Sequence, residues 1–244
     1  MLNALLYAVT FPLAKQLVAA LFWHLGRGRM RTFGAANVPR SGGVLICPNH
    51  VSDGDPPTVA ITCPRKTPYF VGKRELFDIR YLGWWLRLWR VLPIQRDSAD
   101  RAALRRLEEL LKAGEAVVLF PEGGGNAAGT LQPLHAGAML IALRARVPVV
   151  PVALRNTGVV WTYGDVLPHR VFAPHPISAT YGEPIDLSDL YGKPGAAEAA
   201  TRCLTQRLAA MLEQPMPEGK PRNRSAEEAA HQAAFDTPAD ALTK

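Results

Sequence analysis

Residues 44–55 read VLICPNHVSDGD, and this stretch decides how the rest of the chain is interpreted. Its first four residues form an apolar, partly β-branched run between Gly43 and Pro48, which predicts a buried strand. A loop rich in Ser, Asp and Gly follows, with His50 near its start and Asp55 five residues on. A histidine at the end of a rigid strand, oriented by a carboxylate, is suited to act as a general base.

Two alternatives accompany this interpretation. A lone HxxxxD spacing arises often by chance, so a structural histidine in a polar loop is the more common explanation of such a pattern taken alone. Asp53 is also a nearer rival to Asp55 as the partner of the imidazole. The case for chemistry therefore depends on other polar segments downstream.

The remaining pattern predicts an α/β fold with a mixed, mostly parallel sheet flanked by helices, because strands alternate with helices along the chain. In such folds ligands bind where loops leave the strand ends. Further strands are predicted at 68–71, 91–94, 116–120, 149–154 and 178–181, and helices at 56–61, 100–113, 136–144 and 196–212.

Two details of these elements are specific enough to check. Leucines at the spacing of one helix face mark 100–113; Ser98 can cap its start, Asp100 suits its positive end and Gly114 can end it. Pro151 removes a backbone donor from the strand 149–154, which predicts that this strand lies at a sheet edge or contains a bulge.

Composition indicates an anionic partner other than nucleic acid. The net charge is +7 and the pI about 9.6, which favours acidic lipid or phosphate. No nucleic-acid-binding motif is present, so none is expected as a partner. The three cysteines (Cys47, Cys63 and Cys203) have neither disulfide nor zinc spacing and are predicted to be small buried side chains. No metal site is expected, since the other histidines lack ligand-like spacing.

The chain divides into three parts. Residues 1–32 begin with a strongly apolar segment interrupted by Pro12 and Lys15, which favours a helical segment in contact with a membrane over a spanning helix; a soluble helix packed on the domain is the alternative. Residues 33–214 form the α/β domain. Residues 215–244 are polar and are predicted to be a mostly disordered tail.

Three more polar segments follow predicted strands. Lys73 and Arg74 follow one strand and Arg96 another, and these cations are suited to hold a phosphate, although solvated surface charges are the simpler explanation of each alone. Residues 120–126 read FPEGGGN; the three glycines (Gly123, Gly124 and Gly125) allow backbone N–H groups to approach an anion, and Glu122 either binds substrate hydroxyls or anchors the loop. A flexible turn is the alternative.

Taken together, these segments resemble the glycerolipid acyltransferase family, over about residues 33–187. The resemblance implies that residues 33–214 are an acyltransferase domain. It is carried by four blocks in family order: residues 49–55 (NHVSDGD, matching NHxSxxD), 73–96 (containing KRELF, GW and PIQR), 120–123 (FPEG) and 147–152 (VPVVPV).

The resemblance implies transfer of a fatty acyl group from acyl-CoA or acyl-carrier protein to a lysolipid hydroxyl, chiefly that of 1-acyl-glycerol-3-phosphate, without a cofactor. His50 and Asp55 would be catalytic. Ser52 is favoured as a loop-fixing hydroxyl over a nucleophile, because no GxSxG elbow surrounds it. The substrate-binding residues would be Asn49, Ser52, Lys73, Arg74, Arg96, Glu122, Gly123, Gly124, Gly125 and Asn126.

One departure weakens the acceptor assignment. The family continues FPEG with Thr-Arg-Ser, whereas this chain has Gly124, Gly125 and Asn126. The missing arginine is one that the family associates with the acceptor's phosphate. The alternatives are a different lysolipid acceptor, a thioester hydrolase and a non-catalytic lipid-binding scaffold.

An aromatic and basic cluster suggests how the chain meets lipid. Trp84, Trp85 and Trp89 alternate with arginines including Arg87, which suits ring contact at the headgroup level of an anionic membrane. Core packing of one or two of these rings is the alternative. We therefore expect a monotopic or peripheral protein on the cytoplasmic face of the cell membrane.

Overall fold

A seven-stranded sheet organises the chain in the computed structural model, which describes residues 30–78, 83–84, 86–87, 89–95, 100–126, 128–163 and 176–221. The strand order is β1-β7-β6-β2-β5-β3-β4, and every neighbouring pair is parallel except β6 and β7. The strands are β1 (Arg31–Phe33), β2 (Val44–Pro48), β3 (Tyr69–Lys73), β4 (Val91–Ile94), β5 (Ala116–Val118), β6 (Val149–Arg155) and β7 (Ser178–Tyr181).

Helices cover the sheet, so the predicted mixed, mostly parallel α/β class is confirmed. Short 3-10 turns occur at Ala35–Asn37, Arg74–Phe77 and Ser188–Leu190. The α-helices are α1 (Asp55–Thr62), α2 (Arg101–Lys112), α3 (Gly137–Ala145), the single-turn α4 (Thr157–Val160) and α5 (Ala196–Leu212).

The central strand β2 is buried on both faces, which explains why its sequence is a continuous apolar run. Leu45 and Cys47 belong to a core cluster formed with α2, α3 and α5. Val44 and Ile46 point the other way, into a second cluster that includes Val59 of α1. This alternation is the two-residue period of an extended strand. His50 therefore follows a strand that is fixed from both sides.

The predicted strands and α-helices lie within three residues of the observed ones, with the strand β1 and the single-turn helix α4 missed. All three residues of β1 are exposed, so it carries no hydrophobic signal. Of the cysteines, Cys47 and Cys63 are buried as predicted, and burial raises the pKa of the Cys47 thiol. Cys203 is only partly buried.

The prediction that Pro151 marks an edge or a bulge is wrong. Strand β6 lies inside the sheet, between β2 and β7. Bonds to β2 use the carbonyls of Pro148 and Val152, whereas the Pro151 carbonyl accepts from the N–H of Gly182 at 2.9 Å. Gly182 comes directly after the end of β7. The position where Pro151 lacks an N–H therefore faces the end of the β6–β7 pairing, where strand β7 has already finished.

The terminal predictions lie mostly outside the described residues. These residues begin at Met30 and end at Pro221, so the membrane-contact segment and most of the tail remain predictions. Strand β1 includes Arg31 and Thr32, just before the predicted domain boundary. Among the described residues, no helix has both the length and the apolar character needed to cross a bilayer.

Asp100 caps α2, and this cap gives a testable stability effect. Its carboxylate accepts from the N–H of Ala103 at 2.9 Å and of Gln95 at 3.2 Å, whereas Ser98, the predicted cap, lies outside the described residues. The Ala103 bond is the main cause of the lowered pKa of Asp100. We expect Asp100→Ala to lower the free energy of unfolding by about 1 kcal/mol at pH 7, measured by urea denaturation.

The effect has a defined pH dependence. A carboxyl whose pKa is lower in the folded state contributes fully above its unfolded pKa of about 3.9, and its contribution disappears as pH falls through the folded pKa. The difference from wild type should therefore shrink below about pH 4. Asp100→Asn, which keeps an acceptor but does not titrate, is the matched control. A pH-independent difference for Asp100→Ala would contradict the assignment.

Candidate active site

The predicted site residues converge at the carboxyl ends of neighbouring parallel strands. His50 follows β2, residues 119–126 follow β5, and residues 156–163 follow β6. Strands β5 and β6 flank β2 on its two sides. Three loops distant in sequence are therefore neighbours around His50, at the edge of the sheet where open α/β folds bind ligands.

His50 and Asp55 are in direct contact. Imidazole Nδ1 lies 2.9 Å from Asp55 Oδ2, and 11% of the imidazole side chain remains exposed whereas the Asp55 side chain is fully buried. With Nδ1–H donating to the carboxylate, Nε2 is the ring nitrogen that carries the lone pair of a neutral imidazole. The arrangement suits proton abstraction by Nε2 and stabilisation of the resulting imidazolium by Asp55.

The same carboxylate oxygen also shapes the loop. Asp55 Oδ2 accepts from the backbone N–H of Val51 at 2.7 Å and of Ser52 at 2.8 Å. Asp55 is the first residue of α1 and Gly54 is its N-cap, with prolines in the first turn, where a missing N–H removes no helical bond. Asp55, rather than the rival Asp53, is thus the partner of His50.

Asn49 and Ser52 fasten this loop to the protein. The Asn49 amide donates to the Leu154 carbonyl at 3.2 Å and accepts the Leu154 N–H at 2.7 Å. The Ser52 hydroxyl donates to the Trp161 carbonyl and accepts from the Gly54 N–H. Both side chains are buried. These contacts give both side chains a loop-fixing role, as favoured for Ser52, and the prediction that they also bind substrate stays a prediction.

Glu122 joins the two loops that border His50. Its Oε1 accepts from the His50 N–H at 2.7 Å, and its Oε2 accepts from the Asn126 amide and the Gln132 N–H, both at 3.1 Å. Asn126 also donates to the carbonyls of His50 and Thr130. Glu122 is only 3% exposed. Of the roles left open for Glu122, these contacts favour the anchor. They also give Asn126 a role in supporting the loop, and its binding of substrate stays a prediction.

The glycine loop begins directly after Glu122, and its residues Gly124 and Gly125 are buried. Gly123 has a φ of +74°, which disfavours a side chain, and a Cβ there would lie 2.9 Å from the His135 ring. A Cβ at Gly125 would lie 2.0 Å from Cδ2 of Tyr163. Gly124 lies between them in the same loop. The predicted approach of an anion to backbone N–H groups of this loop remains a prediction.

Two aromatic rings beside His50 were not identified from the sequence. The Phe120 ring centroid lies 4.3 Å from that of the imidazole, and the Tyr163 centroid lies 5.8 Å away in an edge-to-face arrangement. Phe120 appeared only as part of a motif. Tyr163 follows β6. Its closeness to His50 depends on β6 lying next to β2 in the sheet, which no local sequence pattern indicates.

Two of the three predicted phosphate-binding cations, Lys73 and Arg74, lie on one side of the site. Lys73 is the last residue of β3, and Arg74 follows it and is exposed. Strand β3 is two positions from β2, with β5 between them, which places these residues about 10 Å from His50 at the usual strand spacing. Arg96 lies outside the described residues.

The tryptophans separate into two kinds. Trp84 is 62% exposed, whereas Trp89 is 8% exposed and belongs to a core cluster. Arg87 is exposed, with its guanidinium over the Phe77 ring at 5.5 Å from the centroid. Trp85 lies outside the described residues. The prediction of membrane contact is therefore wrong for Trp89, which fills the core, and remains open for the exposed pair.

In the part of the chain that the structure describes, no group of three or more His, Cys, Asp or Glu side chains is arranged to hold a metal ion.

Comparison with known proteins identifies relatives. The chain is 29% identical to a 1-acyl-sn-glycerol-3-phosphate acyltransferase of Streptococcus pneumoniae, over 71% of this chain and 62% of that protein. It is 26% identical to the enzyme of the same name from Bacillus subtilis, over 75% of this chain and 87% of that protein. A chloroplastic relative from Brassica napus is 38% identical over 48% of this chain and 36% of its own length.

A solved structure and a family model complete the comparison. The crystal structure of PlsC, the 1-acyl-sn-glycerophosphate acyltransferase of Thermotoga maritima, has a TM-score of 0.62 and 21% identity, and the match covers 82% of this chain and 81% of that one. This likeness supports the fold. The model of the family described as Acyltransferase matches residues 29–155, more than half of the 244 residues. The chain therefore belongs to the acyltransferase family.

Proposed function

We propose that the protein transfers a fatty acyl group from a thioester to the free hydroxyl of 1-acyl-glycerol-3-phosphate, giving phosphatidic acid. The observation that carries the proposal is the contact of His50 Nδ1 with the buried Asp55 carboxylate at 2.9 Å. The imidazole of His50 itself remains partly exposed. The names of the bacterial relatives support the choice of acceptor.

The proposed reaction uses His50 as the general base. Nε2 takes the proton of the acceptor hydroxyl while the oxygen attacks the thioester carbonyl carbon, and a C–O bond forms. The tetrahedral oxyanion, stabilised by backbone N–H groups and a nearby cation, collapses as the C–S bond breaks. The thiolate leaves and takes the proton from the imidazolium. Asp55 stabilises the imidazolium between these two transfers.

The proposed partners follow from this chemistry. The acyl donor is acyl-CoA or acyl-carrier protein, and no further cofactor takes part. Lys73, Arg74 and Arg96 bind the acceptor's phosphate, since charge-assisted bonds to phosphate are among the strongest that side chains make. The glycine loop contributes backbone N–H groups.

The loop sequence favours a second candidate within the same chemistry. Gly125 stands where the resembling family has an arginine, and the Tyr163 ring occupies the space beside it. No cationic side chain extends from this position toward the acceptor. A lysolipid with a different headgroup is therefore the alternative acceptor, with His50 and Asp55 in unchanged roles.

We further propose that the protein acts on the cytoplasmic face of the cell membrane as a monotopic or peripheral enzyme. Trp84 and Arg87 are both exposed and close in sequence, which suits a ring at headgroup depth and a guanidinium on lipid phosphate. The apolar segment 1–32 is proposed to add a second attachment.

The first prediction concerns the base. We expect His50→Ala to lower turnover by at least ~10²-fold, because proton transfer in the transition state then lacks its acceptor. The assay follows thiol release from acyl-CoA with and without lysophosphatidate. Asp53→Asn is the matched control and should keep near-normal turnover, since Asp55 is the carboxylate in contact with the ring.

The same assay distinguishes the alternatives. Near-normal turnover of His50→Ala would refute the proposed mechanism. Thiol release that does not depend on the acceptor indicates a hydrolase, and absence of release by the wild-type protein indicates a non-catalytic scaffold. A panel of lysolipids with different headgroups then identifies the acceptor.

The second prediction concerns the cations at the end of β3. We expect Lys73→Ala and Arg74→Ala each to raise the KM for lysophosphatidate by about tenfold, which corresponds to loss of one charge-assisted hydrogen bond. The KM for a lysolipid without a phosphate monoester should change much less. Arg106→Ala, on the exposed face of α2, is the control. Equal effects on both acceptors would show that these cations do not bind the phosphate.

The third prediction concerns membrane contact. We expect the double variant Trp84→Ala/Arg87→Ala to bind vesicles containing anionic phospholipid at least about fivefold more weakly, because one basic contact contributes about 1 kcal/mol. Flotation of protein with vesicles gives the bound fraction. Phe33→Ala, which removes another half-exposed apolar ring, is the control. Unchanged flotation of the double variant would exclude this surface.

A further inference from the structure

The segment after β6, residues 157–163, packs across the catalytic loop. The Ser52 hydroxyl donates to the Trp161 carbonyl. A Cβ at Gly54 would lie 3.6 Å from the Trp161 side chain, and a Cβ at Gly158 would lie 3.3 Å from the Val51 carbonyl. The segment is thus in contact with the loop between His50 and Asp55 along its length.

Tyr163, at the end of this segment, lies directly on Gly125. A Cβ at Gly125 would come within 2.0 Å of Cδ2 and 2.2 Å of Cε2, distances at which the ring has to move. Gly125 does not have a left-handed φ, so its backbone conformation is open to other residues. The Tyr163 ring is therefore the obstacle to a side chain at position 125.

The same ring faces the imidazole. Tyr163 meets His50 edge to face at 79° with centroids 5.8 Å apart, while Phe120 lies 4.3 Å from the imidazole at a shallow angle of 32°. The Asp55 carboxylate fixes the Nδ1 side. These three neighbours of the imidazole come from three separate segments of the chain, which follow β2, β5 and β6.

We propose that Tyr163 is a positioning residue that holds the His50 imidazole in its reactive orientation, and that Gly125 is required because its missing side chain leaves room for the Tyr163 ring. This inference rests on the proposed function. Side chains that carry out proton transfer need to be fixed within a fraction of an ångström, and packing against rigid rings is one way to do so. The contacts that carry this role are those of the aromatic ring with His50 and Gly125.

The ring is tested with a pair of variants. We expect Tyr163→Ala to lower kcat by about ten- to a hundredfold, the range for a small misplacement of a catalytic group, with the KM for the acyl donor little changed. Tyr163→Phe keeps the ring and should retain kcat within about twofold. The NMR signals of the His50 ring protons, assigned by their loss in His50→Ala, should shift in Tyr163→Ala but stay in place in Tyr163→Phe, because a nearby aromatic ring displaces them.

The role of Gly125 is tested by a double-mutant cycle. Gly125→Ala should lower kcat in the wild-type background, where the new methyl displaces the ring. In the Tyr163→Ala background the same change should have little further effect, because the obstacle is gone and coupled residues are not additive. Additive losses would mean that a side chain at position 125 acts independently of the Tyr163 ring, and the inference would be overturned.

The outcomes separate this inference from the proposed function. Wild-type kcat for Tyr163→Ala together with an inactive His50→Ala would overturn the inference alone, whereas an active His50→Ala would remove the proposed mechanism itself. Thermal unfolding of each variant identifies loss of fold. If Tyr163→Ala does not fold, Tyr163→Leu replaces it, since leucine fills volume without an aromatic ring, and the His50 signals should again shift.

Discussion

The structure depends on one buried oxygen. Asp55 Oδ2 accepts from the imidazole of His50 and from the N–H groups of Val51 and Ser52, so a single atom fixes the loop and orients the base. Its place at the start of α1 explains the spacing of the motif: the chain leaves β2, makes one turn and returns a carboxylate to the residue where the turn began. Because Asp55 is fully buried, water does not replace any of these three donors if one is lost.

A second buried carboxylate, that of Glu122, connects the loops around His50 to each other. Glu122 accepts from the N–H of His50 on one oxygen and from groups of the following loop on the other. Strands β2 and β5 are already paired in the sheet, and Glu122 continues their connection past the strand ends. The loop that begins at Asn49 is tied in the same way to β6 through Leu154. Polar residues that resemble a binding surface in the sequence thus serve to hold His50 still.

These contacts separate the features that the sequence predicts from those that it does not. The apolar periods of β2 and α2 and the HxxxxD spacing are local signals, and the elements and the His50–Asp55 contact follow from them. Strand order is non-local, so nothing in the sequence indicated that β5 and β6 would flank β2, that Glu122 would reach His50, or that Tyr163 would lie on Gly125. Trp89 was misread for a related reason: a ring between arginines suits a membrane surface or a core equally well, and only the packing of β4 and its neighbours decides between them.

The strand order also makes the site asymmetric. On the β5–β3 side of His50, Lys73 and Arg74 lie at the end of β3 and the Phe120 ring follows β5. On the other side, the segment after β6 carries the rings of Trp161 and Tyr163. This difference would orient an acceptor that combines a charged headgroup with an acyl chain. Its anionic part would lie toward β3, where cations compensate for the loss of water, and its apolar part would lie toward the rings after β6. The hydroxyl between the two parts would then fall near Nε2 of His50. Under the proposed function, the order of strands in the sheet, which has no counterpart in any local motif, would set the direction in which a lipid acceptor meets the base.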